Sequence, residues 1–576
     1  MDVRKAAEAW IATDPDPVTQ AAGAEVLARG NPAELASHFG QRLQFGTAGM
    51  RGAIGPGPGR MNRATVRWVT AGFAQYLLDV QPSVVARGIV IGFDGRHGSV
   101  EFAEDAARVL AGRGIPVHTY DSLCPTPELA FAVRHLGAAG GIMVTASHNP
   151  PQDNGYKVYW EDGAQIIPPH DVGISSAIDA IADRSAIRLP KLDVLRDSGI
   201  VRSVTGVVRE TYLAAIAKLR VRPATGVCIA YTPLHGVGWE LLQIALHGNG
   251  HTDLHVVAEQ AQPDGDFPTV AFPNPEEPGA MDLVSRLARD LDADIVMAND
   301  PDADRLAVQV KHDDEWTSLS GNELGALIAD ELLSYGQSDG PERMVATSIV
   351  SSTLLAKLAA RHGAAYAETL TGFKWIANRA IAHEASGGRF VMGYEEALGY
   401  CVGSVVGDKD GISAALIVAD MAAAEKAKGR TLLDRLTDIY RRHGLHAGHQ
   451  EARTLPGASG AARMAAIMQR LRTDPPTSVD GVTLESMVDI QSGESRVFVD
   501  GAKAPVLDLP PSNVLAFYFS DGSRVLARPS GTEPKIKFYF ELVVKMRSNG
   551  KLKTAKRRAQ PLLAKRVGAF VAQALA

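Results

Sequence analysis

The hydrophobic rhythm of the chain changes several times along its length. Residues 1–40 are Ala-rich with a helical period, broken at Asp14-Pro15-Asp16-Pro17 and again at Gly30-Asn31-Pro32, and predict an N-terminal helical extension. From about residue 87, short apolar runs alternate with amphipathic ones. Gly88–Phe93 has strand length and closes in the turn Asp94-Gly95-Arg96, and a helical pattern then runs on to Gly112 and Gly114. A strand at 115–120, a helix at 127–137 and a strand at 141–144 follow. Such alternation predicts helices covering a largely parallel sheet.

The same order of elements returns over 226–312 and over 322–427, a repeat of architecture without repeat of residues. Each copy ends in a short apolar strand that runs straight into a polar loop: GIMV into TASHNP, DIVMA into NDPDADR, RFVMG into YEEALGY. Loops at the carboxyl ends of parallel strands are where α/β folds hold ligands, so three of them facing one cleft would share an active site. Beyond residue 455 the pattern changes to strands around Asp521-Gly522 and a closing basic, Ala/Leu-rich helix. The expected fold class is therefore α/β: three related α/β domains with mixed, mostly parallel sheets, plus a C-terminal α+β domain, around a central cleft. Its expected limits are 1–40 for the extension, then 41–205, 206–320, 321–455 and 456–576 for the four domains.

Composition narrows the classes. With 45% hydrophobic and 22% charged residues in 576, the chain is globular, and a net charge of −6 without long basic blocks gives no footprint for nucleic acid. No stretch reaches about 18 uncharged apolar residues; the nearest, 412–427, carries Asp420 and Glu425. The start MDVRKAAEAW lacks an apolar signal core, and three scattered cysteines form no C-x-x-C, so a cytoplasmic protein is expected.

Candidate chemistry sits in the loops. Ser147, beside His148 and before Pro150-Pro151, could act as a nucleophile or phosphoryl carrier, although the same residues would also make an ordinary turn, and no G-x-S-x-G surrounds it. Asp300, Asp302 and Asp304 place three carboxylates at alternate positions, whose mutual repulsion a hard divalent cation relieves. An EF-hand is excluded, because Arg305 and Lys311 stand where Gly and Glu are required. Glu395-Glu396 could accept from sugar hydroxyls or open a helix. Arg528, Ser530, Gly531 and Thr532, with Lys535 and Lys537 beyond, combine a fork-shaped cation, hydroxyls, exposed backbone N–H and point charges, the mixture that recognises phosphate. Phe45–Gly52 is a second Gly/Thr/Arg loop that matches neither a Walker A loop nor G-x-G-x-x-G.

Together the motifs T-A-S-H-N-P, D-P-D-A-D-R and R-P-S-G-T-E-P resemble the alpha-D-phosphohexomutases, the family of phosphoglucomutase and phosphomannomutase, in the family's order and from about residue 41 onward. F-G-T-A-G-M-R-G, N-G-Y-K-V-Y-W, T-G-F-K-W-I and E-E-A-L-G-Y look most like its phosphopentomutase-type and glucose-bisphosphate-synthesising branch. The resemblance implies an intramolecular phosphotransferase that interconverts sugar 1-phosphate and 6-phosphate, of glucose first and mannose second, through a phosphoserine and a bound bisphosphate. Alternatives are phosphopentomutase or glucose-1,6-bisphosphate synthase activity, and, further off, a metal-dependent sugar phosphatase. It implies that Ser147 carries the phosphoryl group and, with Asp300, Asp302 and Asp304, holds one Mg²⁺ per active site. Glu395 and Glu396 then fall in the sugar loop, and Arg528, Ser530, Gly531, Thr532, Lys535 and Lys537 at a distal phosphate. Thr47, Arg51, Arg305, Thr371 and Lys409 match substrate-contacting positions, with His148, Arg51 and Lys157 considered for catalytic assistance. Ala397 stands where phosphoglucomutases and phosphomannomutases carry serine, which removes one hydroxyl from sugar recognition. Sugar phosphates are the partners implied, with a sugar bisphosphate as activator or intermediate and neither nucleic acid nor membrane; monomer and dimer are equally compatible.

Overall fold

The computed structural model describes residues 2–47, 49–312, 315–455, 459–530 and 535–576. The extension forms three helices, Val3–Thr13, Pro17–Arg29 and Pro32–Phe39, separated at the two breaks the sequence marks. Each start is capped by a side chain, Asp2, Asp16 or Asn31, which accepts from N–H groups of the first turn. Ala7, Trp10, Val26, Leu35 and Phe39 give the extension its own small core.

The three following domains share one arrangement. In each, a central strand (Ile89–Phe93, Ile229–Thr232 or Arg343–Ser348) pairs in parallel on one side with a short strand and on the other with the strand that precedes a candidate loop. Those preceding strands are Gly140–Val144, Ile295–Ala298 and Arg389–Glu395. The chain then turns and comes back antiparallel, as Asp153–Trp160, Ala307–His312 and Gly399–Val402. Each candidate loop is thus a return within one sheet, pinned at both ends by hydrogen-bonded strands. The YEEALGY segment is accordingly a strand end followed by a hairpin, and it does not open a helix.

The helix Gly411–Lys426, the segment with the longest apolar character, is buried almost all round between the second and third domains. Its charges are matched: Asp420 meets Arg220 at 2.6 Å and His251 at 3.1 Å, and Glu425 meets Lys428 at 2.9 Å and Arg430 at 3.1 Å. Among the described residues no helix is long and apolar enough to cross a membrane.

The fourth domain is an antiparallel sheet packed under the helices Gly460–Thr473 and Leu552–Leu575. Phe570 sits at its centre, edge-on to Phe517, Phe538 and Phe540. One boundary differs from expectation. The strand Leu445–Thr454, assigned by the sequence reading to the third domain, pairs along its whole length with Lys535–Val544 and belongs to the fourth sheet. Its side chains are mostly exposed beyond Leu445-His446, so it lacks the apolar alternation that marks a strand.

Candidate active site

Each of the three return loops places one non-glycine residue in the left-handed region: Ser147 at φ +53°, Ala303 at +57° and Leu398 at +61°. Such conformations cost energy and persist where the surroundings over-determine them, which is typical of functional sites. In the first loop, the Ser147 N–H donates to Thr145 Oγ1 at 2.8 Å, and Ser147 Oγ donates to Asp300 Oδ2 at 2.8 Å and lies 3.1 Å from His148 Nδ1. Serine and aspartate are 153 residues apart in sequence and belong to different domains. Burial, then Arg305 and Arg51, push the His148 imidazole down to about 2, so it is neutral at working pH.

The aspartate loop is buried to a degree rare for carboxylates, with Asp300, Asp302 and Asp304 each at most 1% exposed. Asp300 Oδ1 accepts from the Arg305 N–H at 3.0 Å. Lys157, on the return strand of the first domain, donates to Asp302 Oδ2 at 2.7 Å and Asp304 Oδ2 at 3.1 Å. Lys409, from the third domain, reaches Asp304 Oδ2 at 3.0 Å. Thr126, at the head of the helix Thr126–His135, adds a hydroxyl to Asp302 Oδ2 at 2.7 Å and its N–H to the Asp302 carbonyl at 3.0 Å. Burial lowers the affinity of both lysines for a proton, but the aspartates more than reverse this, so both stay charged. Burial also raises the Asp302 carboxyl, and there Lys157 and Thr126 win and hold it below the usual range. Asp300 goes the other way, pushed well up by burial and by Asp302 and Asp304.

After these contacts two buried oxygens, Asp302 Oδ1 and Asp304 Oδ1, have no hydrogen-bond partner among the described residues. The three carboxylates bring their oxygens within 4.8 Å of one another. Orphaned anionic oxygens converging on one point, with a serine hydroxyl beside them and no sulfur or imidazole in the set, fit a hard divalent cation such as Mg²⁺.

Arg305 leaves this loop toward the third domain, donating to the Ala397 carbonyl at 3.1 Å. There Glu395 accepts from the Gly372 N–H at 2.7 Å, which holds the Thr371-Gly372 turn against the end of its strand. Glu395 is raised by burial and by Glu396. Glu396 points elsewhere. It accepts from Ser348 and Ser351, both at 3.1 Å, and borders a cavity of about 350 Å³ between the third and fourth domains, with His446, Arg524 and Glu541. Its carboxylate therefore steadies the return loop of the third domain from behind.

Arg51 donates to Asn149 Oδ1 at 2.8 Å and so braces the serine loop. Thr47 lies in a turn closed by paired bonds between Gly46 and Gly49, each 2.9 Å. Gly49 is at φ +81°, and a Cβ there would lie 1.9 Å from the Tyr156 carbonyl. Gly49→Ala is therefore expected to cost at least about 1–2 kcal/mol from backbone conformation alone. The overlap with the strand bearing Lys157 adds to that cost, and a denaturant melt that matches wild type would show that the turn can move away freely.

At the fourth domain, Arg528 stands opposite Lys537 in the hairpin ladder, and the Ser530 N–H donates to the Lys535 carbonyl at 2.7 Å. Gly531 and Thr532 lie outside the described residues. Burial, then Lys535 and Arg528, lower the Lys537 ammonium, as expected where cations crowd together and an anion is wanted. The sequence reading missed Thr126, Arg96 and Lys374. Lys374 is lowered to about 8, chiefly by burial, and lies within electrostatic reach of Glu395 and Arg528. It sits in the quoted T-G-F-K-W-I, where only its company with glycine and threonine hinted at a role. Arg96 was legible merely as part of a turn.

Four family models match the chain: phosphoglucomutase/phosphomannomutase alpha/beta/alpha domain I over residues 42–185, domain II over 210–313, domain III over 320–442, and the C-terminal domain over 468–545. The chain is 38% identical to the phosphopentomutase of Homo sapiens, over 92% of this chain and 90% of that protein. It is 40% identical to a protein of Haemophilus influenzae named probable phosphomannomutase (84% and 93% covered) and 39% identical to a phosphoglucomutase of Staphylococcus epidermidis (87% and 90%). Among solved structures, the phosphoglucomutase parafusin of Paramecium in its open form matches with a TM-score of 0.66 at 19% identity, covering 91% of this chain and 95% of that one. A phosphoglucomutase/phosphomannomutase family protein of Burkholderia thailandensis matches at 0.64 and 19%, with the same coverage. At those identities the structural likeness is one of fold.

Proposed function

Because the chain belongs to the phosphoglucomutase/phosphomannomutase family and is a phosphosugar mutase, we propose that it moves a phosphoryl group between the 1- and 6-positions of glucose, with Ser147 as the carrier. The observation that carries the reading is the junction of Ser147 Oγ with Asp300 across two domains, beside carboxylate oxygens left without partners. Phospho-Ser147 gives its group to the free hydroxyl of a sugar monophosphate. The P–O bond to the serine breaks as one to the sugar forms, the sugar hydroxyl loses its proton, and the serine oxygen regains one. The bisphosphate turns end for end and returns its other phosphoryl group to Ser147.

In this scheme Asp300, Asp302, Asp304 and Ser147 hold the divalent ion, which when bound neutralises charge on the transferring group. Lys157 and Lys409, kept charged by their aspartates, fix those carboxylates and stand as donors at the same point. We therefore assign Lys157 as a charged hydrogen-bond donor that holds its proton, and not as the base. His148 orients the serine hydroxyl, Arg51 braces its loop, and Thr47 and Arg305 border the substrate. Glu395, Thr371 and Lys374 face the sugar. Arg528, Ser530, Lys535 and Lys537, together with Gly531 and Thr532, are assigned to the phosphate that is not reacting. A cytoplasmic setting belongs to the same reading and is supported by three free thiols.

Replacing Arg528 with alanine is expected to raise KM for the monophosphate by about 10–100-fold, the value of a charge-assisted bond to phosphate, with little change in stability. An unaltered KM would move the distal clamp to other residues. The sugar itself has a second reading, because phosphopentomutases of vertebrates match over 92% of this chain. Rates with glucose 1-phosphate, mannose 1-phosphate and ribose 1-phosphate, each with and without bisphosphate, decide between them. The highest kcat/KM on ribose 1-phosphate would overturn the glucose assignment. Free phosphate accumulating faster than isomer would make the protein a phosphatase.

A further inference from the structure

The loop that carries Ser147 is gathered around one guanidinium. Arg96, in the turn after the first central strand, is 3% exposed. Its Nη2 donates to the carbonyl of Ser147 at 2.6 Å and to that of Asn149, and its Nη1 donates to the carbonyls of Pro150 at 2.8 Å and Asp153 at 3.1 Å. Asp94 matches its charge at 3.4 Å, and the ring of Phe267, from the second domain, covers it with the centroid 4.9 Å away. Asp94 also accepts from Thr145 at 2.6 Å and Ser99 at 2.7 Å, and Thr145 in turn accepts from the Ser147 N–H. The serine is thus tied on both sides of its α-carbon: its N–H through Thr145 to Asp94, its carbonyl directly to Arg96.

A trans peptide aims its carbonyl and its N–H in opposite directions. With the Ser147 carbonyl drawn back to Arg96, the N–H of His148 is aimed away from it. Among the described residues that N–H has no acceptor, whereas the N–H groups of Ser147 and Asn149 on either side are bonded. We propose that Arg96 is a positioning residue: by holding four carbonyls behind the loop it presents the His148 N–H to the phosphoryl group on Ser147, where it donates to a phosphoryl oxygen. This rests on the reading of Ser147 as the carrier. A donor fixed before reaction gains strength from costing no reorganisation when charge develops. Lysine could replace the charge of Arg96, but one nitrogen cannot span four carbonyls.

Two measurements test it. In ¹⁵N-labelled wild-type protein, the His148 amide resonance is expected to move downfield and its hydrogen exchange to slow when glucose 1,6-bisphosphate phosphorylates Ser147. An amide unmoved by that phosphorylation overturns the proposal, with no variant needed. In Arg96→Lys, kcat is expected to fall about 10²-fold, with KM for the monophosphate within about threefold and the melting temperature near wild type. Wild-type kcat in R96K overturns it too, as does a loss confined to KM. Wild-type protein that never takes up phosphate would bring down the carrier reading itself and this inference with it. Phosphorylated protein with an unchanged His148 amide brings down this inference alone.

Discussion

Alanine at position 147 is expected to lower turnover by more than about 10⁴-fold, as removal of a covalent carrier does in enzymes whose groups act as a unit. The fold should survive. Alanine keeps the Ser147 backbone bonds to Thr145 and Arg96, and it meets the same left-handed backbone that serine already tolerates. What disappears is the oxygen 2.8 Å from Asp300 and 3.1 Å from His148. Mass analysis after incubation with a sugar bisphosphate provides the companion readout: wild type gains one phosphoryl group and S147A gains none. Normal kcat in the alanine variant, or a phosphoryl group on it at another residue, would refute the carrier role.

Asp302→Asn carries the next largest effect, a fall in kcat of about 10²–10³-fold, comparable with loss of one preorganised electrostatic contact. Asparagine is preferred to alanine because its carbonyl still accepts from Lys157 and Thr126, so neither donor is left buried and alone. The substitution removes the negative charge and one of the two orphaned oxygens. A ligand that binds only the folded state stabilises it by mass action. Added Mg²⁺ should therefore raise the melting temperature of wild type and leave that of D302N nearly unchanged. Equal Mg²⁺-dependent shifts in the two proteins would show that Asp302 is no ligand, whatever happens to the rate.

The chemistry was readable where it is local and hidden where it is not. Three aspartates at alternate positions announce a cation in six residues of text, and the repeated order of elements reveals three like domains. Lys157 appears in sequence as one lysine in an apolar run. Only folding sets it against Asp302, 145 residues away, and shows a candidate for catalytic assistance to be a charged partner of the aspartates. The run N-G-Y-K-V-Y-W enters the sequence reading only as part of a family resemblance; it forms a strand buried on both faces, whose apolar text carries no mark of direction, so the antiparallel return was not legible. Leu445–Thr454 escaped for the opposite reason, since its exposed, charged side chains leave backbone pairing alone to make it a strand. Glu396 looks identical to Glu395 in the text, and what separates them is two serine hydroxyls, one ending the neighbouring strand and one in the turn just beyond it.

Because Gly140–Val144 and Asp153–Trp160 are paired with Met143 opposite Lys157, the number of residues between them sets which face of the sheet each later side chain occupies. Side chains on a strand alternate, so a slip of one position would send Lys157 to the far side and bring an uncharged neighbour, Tyr156 or Val158, toward the aspartates. A single-residue insertion in that stretch is thus a harsher change than most substitutions within it. The span of the loop is under as tight a constraint as its composition, and engineering of the serine loop should exchange residues here while keeping their number.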